Sequence, residues 1–123
     1  MHSEISWFVD AFTRRVPEVL HAVVVSPAGL MTTTSAALPR DMADQLSALA
    51  VGLTGLTRGA ARCFGAGGVR QTVVELEAGF LLVLPVDDSC LVVVASLDCD
   101  LQQVADEADS LVAYLQSQGA FAA

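Results

Sequence analysis

Apolar positions recur along this chain at two spacings, every three to four residues and every second residue, and the switches between them mark out eight elements. Ile5, Phe8, Val9, Phe12 and Val16 share one side of a helix predicted over residues 3–16. Arg14 and Arg15 fall in its last turn, where cations complement the helix dipole, and Pro17 stops it. Trp7 lies on the opposite face, either under a loop or against a partner. Residues 20–26 form a strand around Ala22, Val23, Val24 and Val25. Pro27, Ala28 and Gly29 make a turn, and residues 30–35 return as a second strand rich in β-favouring threonine.

The longest periodic stretch, residues 41–63, reads as one helix with two stripes. Met42, Leu46, Leu49, Leu53, Leu56 and Ala60 fall within a narrow arc that is expected to face the domain's own core. Ala48, Gly52, Gly55 and Gly59 recur with the same steps on a second stripe. Each glycine inside a helix costs roughly 1 kcal/mol relative to alanine, so three on one side imply a compensating gain. Small side chains let another backbone approach. That backbone belongs either to the chain's own sheet or to a second copy of the helix, and the sharper expectation is the symmetric dimer.

Gly65, Ala66, Gly67 and Gly68 end this helix. Residues 69–77 alternate as a third strand. Arg70, Thr72, Val74 and Leu76 lie on one side, and Val69, Gln71, Val73, Glu75 and Glu77 on the other. The half-polar pattern suits a sheet edge or a solvated interface, and Val69, Gln71, Val73 and Glu75 are candidate dimer contacts. Ala78 and Gly79 close a hairpin into the nearly all-apolar strand 80–86, whose ladder Pro85 limits. Asp87 and Asp88 turn the chain into strand 90–97. Asp100 is the N-cap of a last helix over residues 101–117, with Gln103 as a capping-box partner. Leu101, Val104, Ala108, Leu111, Val112 and Leu115 form its buried stripe, Gly119 can end it, and residues 120–123 are expected to fray. A hairpin and a meander interleaved with helices give an α+β domain with a mainly antiparallel, five-stranded sheet in the order α-β-β-α-β-β-β-α.

The length, 123 residues, fits a single domain spanning 1–123, with an ordered core of about 3–118. Hydrophobic residues make up 54%, which points to a fully covered sheet or a buried subunit surface. No apolar run reaches the roughly 18 residues that a membrane span needs, and the first residues lack the basic start of a secretory signal. The expectation is a soluble cytoplasmic protein with no direct membrane insertion. The formal charge of −8 repels phosphate backbones, which argues against nucleic acid and leaves a basic protein partner open. The cysteines, Cys63, Cys90 and Cys99, match no zinc spacing and are expected to be reduced, with Cys90 in the core.

Chemistry is sparse. The glycine cluster follows a helix and precedes a strand, the reverse of a phosphate-cradling loop, and the chain has no lysine. His2 and His21 are the only histidines, and His21 is expected to be structural. Asp87 with Asp88, and Asp98 with Asp100, are explained by a turn and a helix start. No serine lies in a G-x-S-x-G context. No catalytic, cofactor-binding or metal site is expected. Arg58 and Arg62, one turn apart, and Arg70 are candidate partner contacts, since arginine can stabilise phosphoryl transfer in trans. Their ordinary role, like that of Arg40, is to be solvated or paired with carboxylates.

Several segments resemble the Roadblock (dynein light chain roadblock) domain family in its actinobacterial form. They are Trp7-Phe8-Val9-Asp10, Arg14-Arg15-Val16-Pro17, Ala28-Gly29-Leu30, Arg58-Gly59-Ala60-Ala61-Arg62 and the run from Gly68 through Val69, Arg70, Gln71, Thr72, Val73 and Val74 to Glu75. The resemblance covers nearly the whole chain. It implies a three-layer, profilin-like fold and a homodimer in which the long helices pair and the third strands join two sheets. It also implies binding to small Ras-like GTPases, which some bacterial members activate by arranging the GTPase's own residues without donating an arginine. The reading that follows is a non-catalytic regulator or scaffold of such a GTPase in a bacterial signalling system. The alternatives are a structural adaptor that tethers a sensor-kinase-like protein, and a small-molecule sensor.

Overall fold

The computed structural model describes residues 2–118, with side chains placed from Ile5 onward. Gly119 and the 120–123 tail, expected to end the last helix and to fray, lie outside the described residues, as does the His2 side chain. The elements are α1 (His2–Arg15), β1 (Val19–Val25), β2 (Met31–Thr34), α2 (Arg40–Cys63), β3 (Thr72–Leu76), β4 (Gly79–Val86), β5 (Ser89–Ser96) and α3 (Leu101–Ser117). The strands form one antiparallel sheet in the order β2-β1-β5-β4-β3. The expected order, sheet and α+β class are all present.

Consecutive strands pair as hairpins, but β2 and β3 stand at opposite edges. The chain between them must cross the whole sheet, and α2 makes the crossing. At 1.5 Å per residue its 24 residues run roughly 36 Å, against roughly 19 Å for four strand spacings. The helix is therefore longer than the sheet is wide. It packs on β1, β2 and β5, while α1 and α3 cover the other face.

The core lies in two layers. Phe12, Val9, Val16, Leu82, Leu84, Leu91 and Leu115 fill the side under α1 and α3. Val23, Val25, Ala43, Ala50, Val83 and Val92 fill the side under α2. Asp100 caps α3 as expected, its Oδ1 accepting from the Gln103 backbone N–H at 3.3 Å, and Val104, Ala108, Leu111 and Leu115 are buried beneath.

Three local features refine the expectation. β3 begins at Thr72, so Val69, Arg70 and Gln71 precede the strand instead of belonging to it. Thr72 pairs with Val83, and Pro85 follows two residues later in β4, so the ladder ends where a proline begins to interrupt it. The β4–β5 turn places Asp87 at φ +53°, a left-handed conformation that aspartate tolerates better than most residues.

The third is Gly79, which opens β4 instead of sitting in the turn, and pairs with both Leu76 and Ser96. A Cβ built there would stand 2.9 Å from the Ala95 carbonyl oxygen, closer than backbone allows. Gly79→Ala is expected to destabilise the fold by about 1–3 kcal/mol, as overpacking does. Urea unfolding with unchanged m-value would show it as a lower midpoint.

Candidate interaction surface

The long helix turns its expected core stripe only partly inward. Ala43, Ser47 and Ala50 are its buried residues, with Leu46 and Leu53 packed beside them. Small side chains let α2 lie close on the sheet. The Ser47 hydroxyl is satisfied by donating to the Ala43 carbonyl oxygen at 2.7 Å. Met42, Leu49, Leu56 and Ala60 face outward instead, with Leu49 63% and Leu56 74% exposed. The assignment of that whole stripe to the core is therefore corrected. The stripe is narrow but rotated from the line that meets the sheet, which runs through Ala43, Ser47 and Ala50, so the leucines on its far flank lie beyond the sheet's reach.

The glycine stripe borders this outward rim. A Cβ at Gly52 or Gly55 would meet nothing within 4 Å, and one at Gly59 would meet only Arg62 Nη2 at 3.8 Å. Gly52, Gly55 and Ala48 are exposed, and Gly59 is half-buried. The glycines do not press on the chain's own sheet, so that reading is set aside. The outward half of α2 thus joins exposed leucines to bare backbone. Covering one exposed leucine fully is worth about 1.5–3 kcal/mol. Two of them, at about 3–6 kcal/mol, match or exceed the roughly 3 kcal/mol that the three glycines together cost the helix.

The neighbouring edge of the sheet is also uncovered. β3 has β4 on one side and no strand on the other. Val74 and Leu76 lie on the α2 side, beside Leu81 of β4, and Leu76 is 54% exposed. Val73 and Glu75, opposite Leu82 and Phe80, lie on the other face and are exposed. The stripe on α2 and the free strand edge are the two halves of the candidate surface. Val69 and Gln71 are set apart from it, lining a hollow with Arg70, Pro85 and Asp106 of α3.

The arginines are dispersed. Arg58 lines a hollow of about 390 Å³ between α2 and the hairpin turns, with Ser26, Thr54, Asp88 and Cys90. Arg62 is exposed near the end of α2, and Arg70 lies across the sheet beside α3. None of the three is within an ion pair among the described residues, whereas Arg15 binds Glu107 at 2.8 Å and Arg40 meets Asp44 at 3.5 Å. They do not converge on one point. Trp7 is 58% exposed and lies edge-on to Phe8, so it is not tucked under a loop.

The carboxylate pairs have structural partners. Asp98 accepts from the Ser96 hydroxyl at 2.6 Å, Asp100 caps α3, and Asp87 accepts from Gln116 at 3.5 Å. Among the described residues no three His, Cys, Asp or Glu side chains come together as a metal site. His21 is half-buried in β1, with its Nδ1 enclosed and unpartnered among the described residues. No described helix is long and apolar enough to cross a membrane.

All three cysteines are free. Burial pushes the Cys90 thiol up, and Arg58 pulls it partly back. Burial, followed by the charges of Asp98, Glu18 and Asp100, pushes the Cys99 thiol up. A raised pKa means less thiolate at a given pH. At pH 8, iodoacetamide is therefore expected to label exposed Cys63 first, Cys99 more slowly, and buried Cys90 only on unfolding. Mass spectrometry of timed digests gives the order directly.

The fold is a three-layer α+β module that leaves an apolar helix face and one strand edge uncovered. The chain belongs to the Roadblock/LC7 domain family, whose model matches residues 5–95. It is similar to a Roadblock/LC7 domain from Streptomyces avermitilis, with 36% identity and a TM-score of 0.86 over 92% of this chain and 95% of that one. A second Streptomyces avermitilis Roadblock/LC7 domain is 31% identical, with a TM-score of 0.76 over 92% of this chain and 99% of that one. The MglB of Myxococcus xanthus shares the fold at 17% identity, with a TM-score of 0.85 over 94% of each chain. No curated protein sequence matches significantly.

Proposed function

We propose that the chain is a non-catalytic regulator or scaffold of a small Ras-like GTPase, working as a homodimeric platform. The observation that carries this reading is the outward half of α2, where Leu49 and Leu56 stand exposed beside Gly52 and Gly55. Two such helices pack against each other across a two-fold axis, leucine against glycine, and each buries what the other exposes. The β3 edges meet in the same assembly and continue one sheet into the next. Val73 and Glu75 then lie at the seam.

The GTPase part rests on family membership. A dimer of this form presents a broad composite surface, and switch segments of a GTPase can be held in one arrangement against it. Arg58 and Arg62 flank the paired helices as candidate contacts to such a partner, and the scattered placement of the arginines favours positioning over donation of a catalytic group.

Single-turnover GTP hydrolysis by a small Ras-like GTPase from the same genome, with and without the protein, tests the proposal. A faster or slower turnover supports regulation. Binding in one nucleotide state with unchanged turnover supports scaffolding. No binding in either nucleotide state overturns both, and capture of a sensor-kinase-like protein alone would assign the chain as an adaptor.

A further inference from the structure

The hollow beside Arg58 is built by three elements. The β1–β2 turn supplies Ser26 and Pro27, the β4–β5 turn supplies Asp88 and Ser89, and α2 supplies Thr54 and Arg58. The last buried residue of α2 is Ala50, and the hollow opens just beyond it, where turns instead of strands face the helix. At about 100° per residue, Val51, Thr54 and Arg58 fall on one flank of α2, and Leu46, Leu49, Leu53 and Leu56 on the other. The hollow is therefore apart from the exposed leucines, with Gly55 as the residue that borders both. All of its lining comes from one subunit.

Its polar groups are unmatched. Arg58 is in no ion pair among the described residues, and its charge pulls on the Cys90 thiol of the inner wall. Asp88, on the facing turn, is exposed and is in no ion pair either. One positive and one negative group thus line the same hollow without pairing with each other. Ser89 is only 5% exposed, a depth at which hydroxyls are normally hydrogen-bonded. Its hydroxyl has no hydrogen-bond partner among the described residues. The one enclosed, unpartnered side-chain polar atom among those residues is His21 Nδ1, so the Ser89 oxygen is not sealed in, and it opens on the hollow that the residue lines. Ser26 Oγ accepts from the Leu30 backbone N–H at 3.3 Å, which leaves its own O–H to donate.

We propose that this hollow binds a small zwitterion of the amino-acid type, its carboxylate on Arg58 and Ser89, its ammonium group on Asp88, and a short apolar side chain against Val51, Pro27 and Cys90. The guanidinium fork matches the two oxygens of a carboxylate. A carboxylate alone would face Asp88 and a chain that carries −8, and an amine alone would leave Arg58 uncovered. A zwitterion has no net charge, so the overall field does not repel it and each end meets its opposite. A phosphate ester would set about two negative charges against one arginine. The volume, about 390 Å³, is near the lower end of the roughly 300–1,000 Å³ that small-molecule sites occupy, so the occupant is small. The inference goes beyond the GTPase reading and needs neither the GTPase nor the dimer.

Calorimetric titration of the full chain with L-valine is the test. Saturable binding with a Kd of about 1 mM or tighter is expected. Valinamide, which lacks the carboxylate, and N-acetylvaline, which lacks the ammonium group, are each expected to bind at least about tenfold more weakly, because each leaves a charged group of the site unpaired. Arg58→Gln is expected to erase the preference for valine over valinamide, and Asp88→Asn the preference over N-acetylvaline, with circular dichroism confirming that both variants fold. No saturable heat at about 10 mM valine overturns the proposal. So does equal binding of the three compounds. Tighter binding of inorganic phosphate than of valine would make the hollow an anion site and overturn it. Valine affinity that rises as the chain is diluted from two subunits to one would assign the hollow to a side chain of the second copy and overturn it as well. Each result is read on the chain alone, so a failure here leaves the GTPase reading standing.

Discussion

Gly55→Leu is expected to leave the fold standing and to split the dimer. Within one subunit the substitution is harmless, because a Cβ at Gly55 meets nothing within 4 Å. The helix itself gains about 0.8–1 kcal/mol in propensity when an exposed glycine becomes leucine. Across the proposed two-fold axis the same side chain occupies the space in which the partner helix lies. The two effects have opposite signs, and that makes the variant diagnostic. The monomer should resist urea slightly better than a dissociated wild-type subunit, and the mass should fall to one chain at micromolar concentration. A variant that unfolds would point to glycine contacts inside the subunit. A variant that stays dimeric would move the interface away from the glycines. Thermal unfolding must be compared at matched concentration, because dimer stability depends on it.

Phe12→Ala should produce the largest loss of stability of any change considered. Phe12 is 1% exposed and stands between α1 and the sheet, among Val9, Val16, Leu82 and Leu115. Removing a buried phenylalanine costs about 3–5 kcal/mol, counting both lost transfer energy and the cavity left behind. Small domains have about 5–15 kcal/mol in total. The Tm is therefore expected to drop by more than about 10 °C. Phe12 lies on the side of the sheet opposite α2, so the dimer face should survive wherever the protein is still folded. Differential scanning calorimetry gives the first number and light scattering the second. A drop of only a few degrees would mean that α1 contributes little to the core.

The order of elements was readable in the chain because each carries a clean period. The buried stripe of α3 and its Asp100 cap match closely, since a helix lying flat on one sheet face has a single apolar side. The long helix was harder. Its expected stripe contains Leu49, which meets solvent, and leaves out Ala50, which meets the sheet, because periodicity cannot distinguish an inward face from an outward one. Leucines on the far flank of the stripe face away while alanine and serine face home, which is the reverse of the usual preference. The third strand was overextended, because alternation continues through Val69 and Gln71 while the proline in its neighbour ends the pairing.

The contact between the first and last helices was half visible. Trp7 is out of phase with the phenylalanines of its own helix, which leaves it either under a loop or against a partner, and the structure shows it 58% exposed. Tyr114 could not be paired with it in advance, because the contact joins residues more than a hundred positions apart through the packing of two helices on one sheet. The acidic side of α3 is apparent as composition, and the fold places Asp106 and Asp109 in the hollow with Arg70, apart from the aromatic rings.

The account stands first on self-association through α2, and sedimentation equilibrium of the unmodified chain between about 1 and 100 µM tests it most directly. The expected result is a mass of two chains, twice the 12.8 kDa of one, over most of that range. A mass of one chain at every concentration, with Leu49 and Leu56 remaining in water, would contradict it.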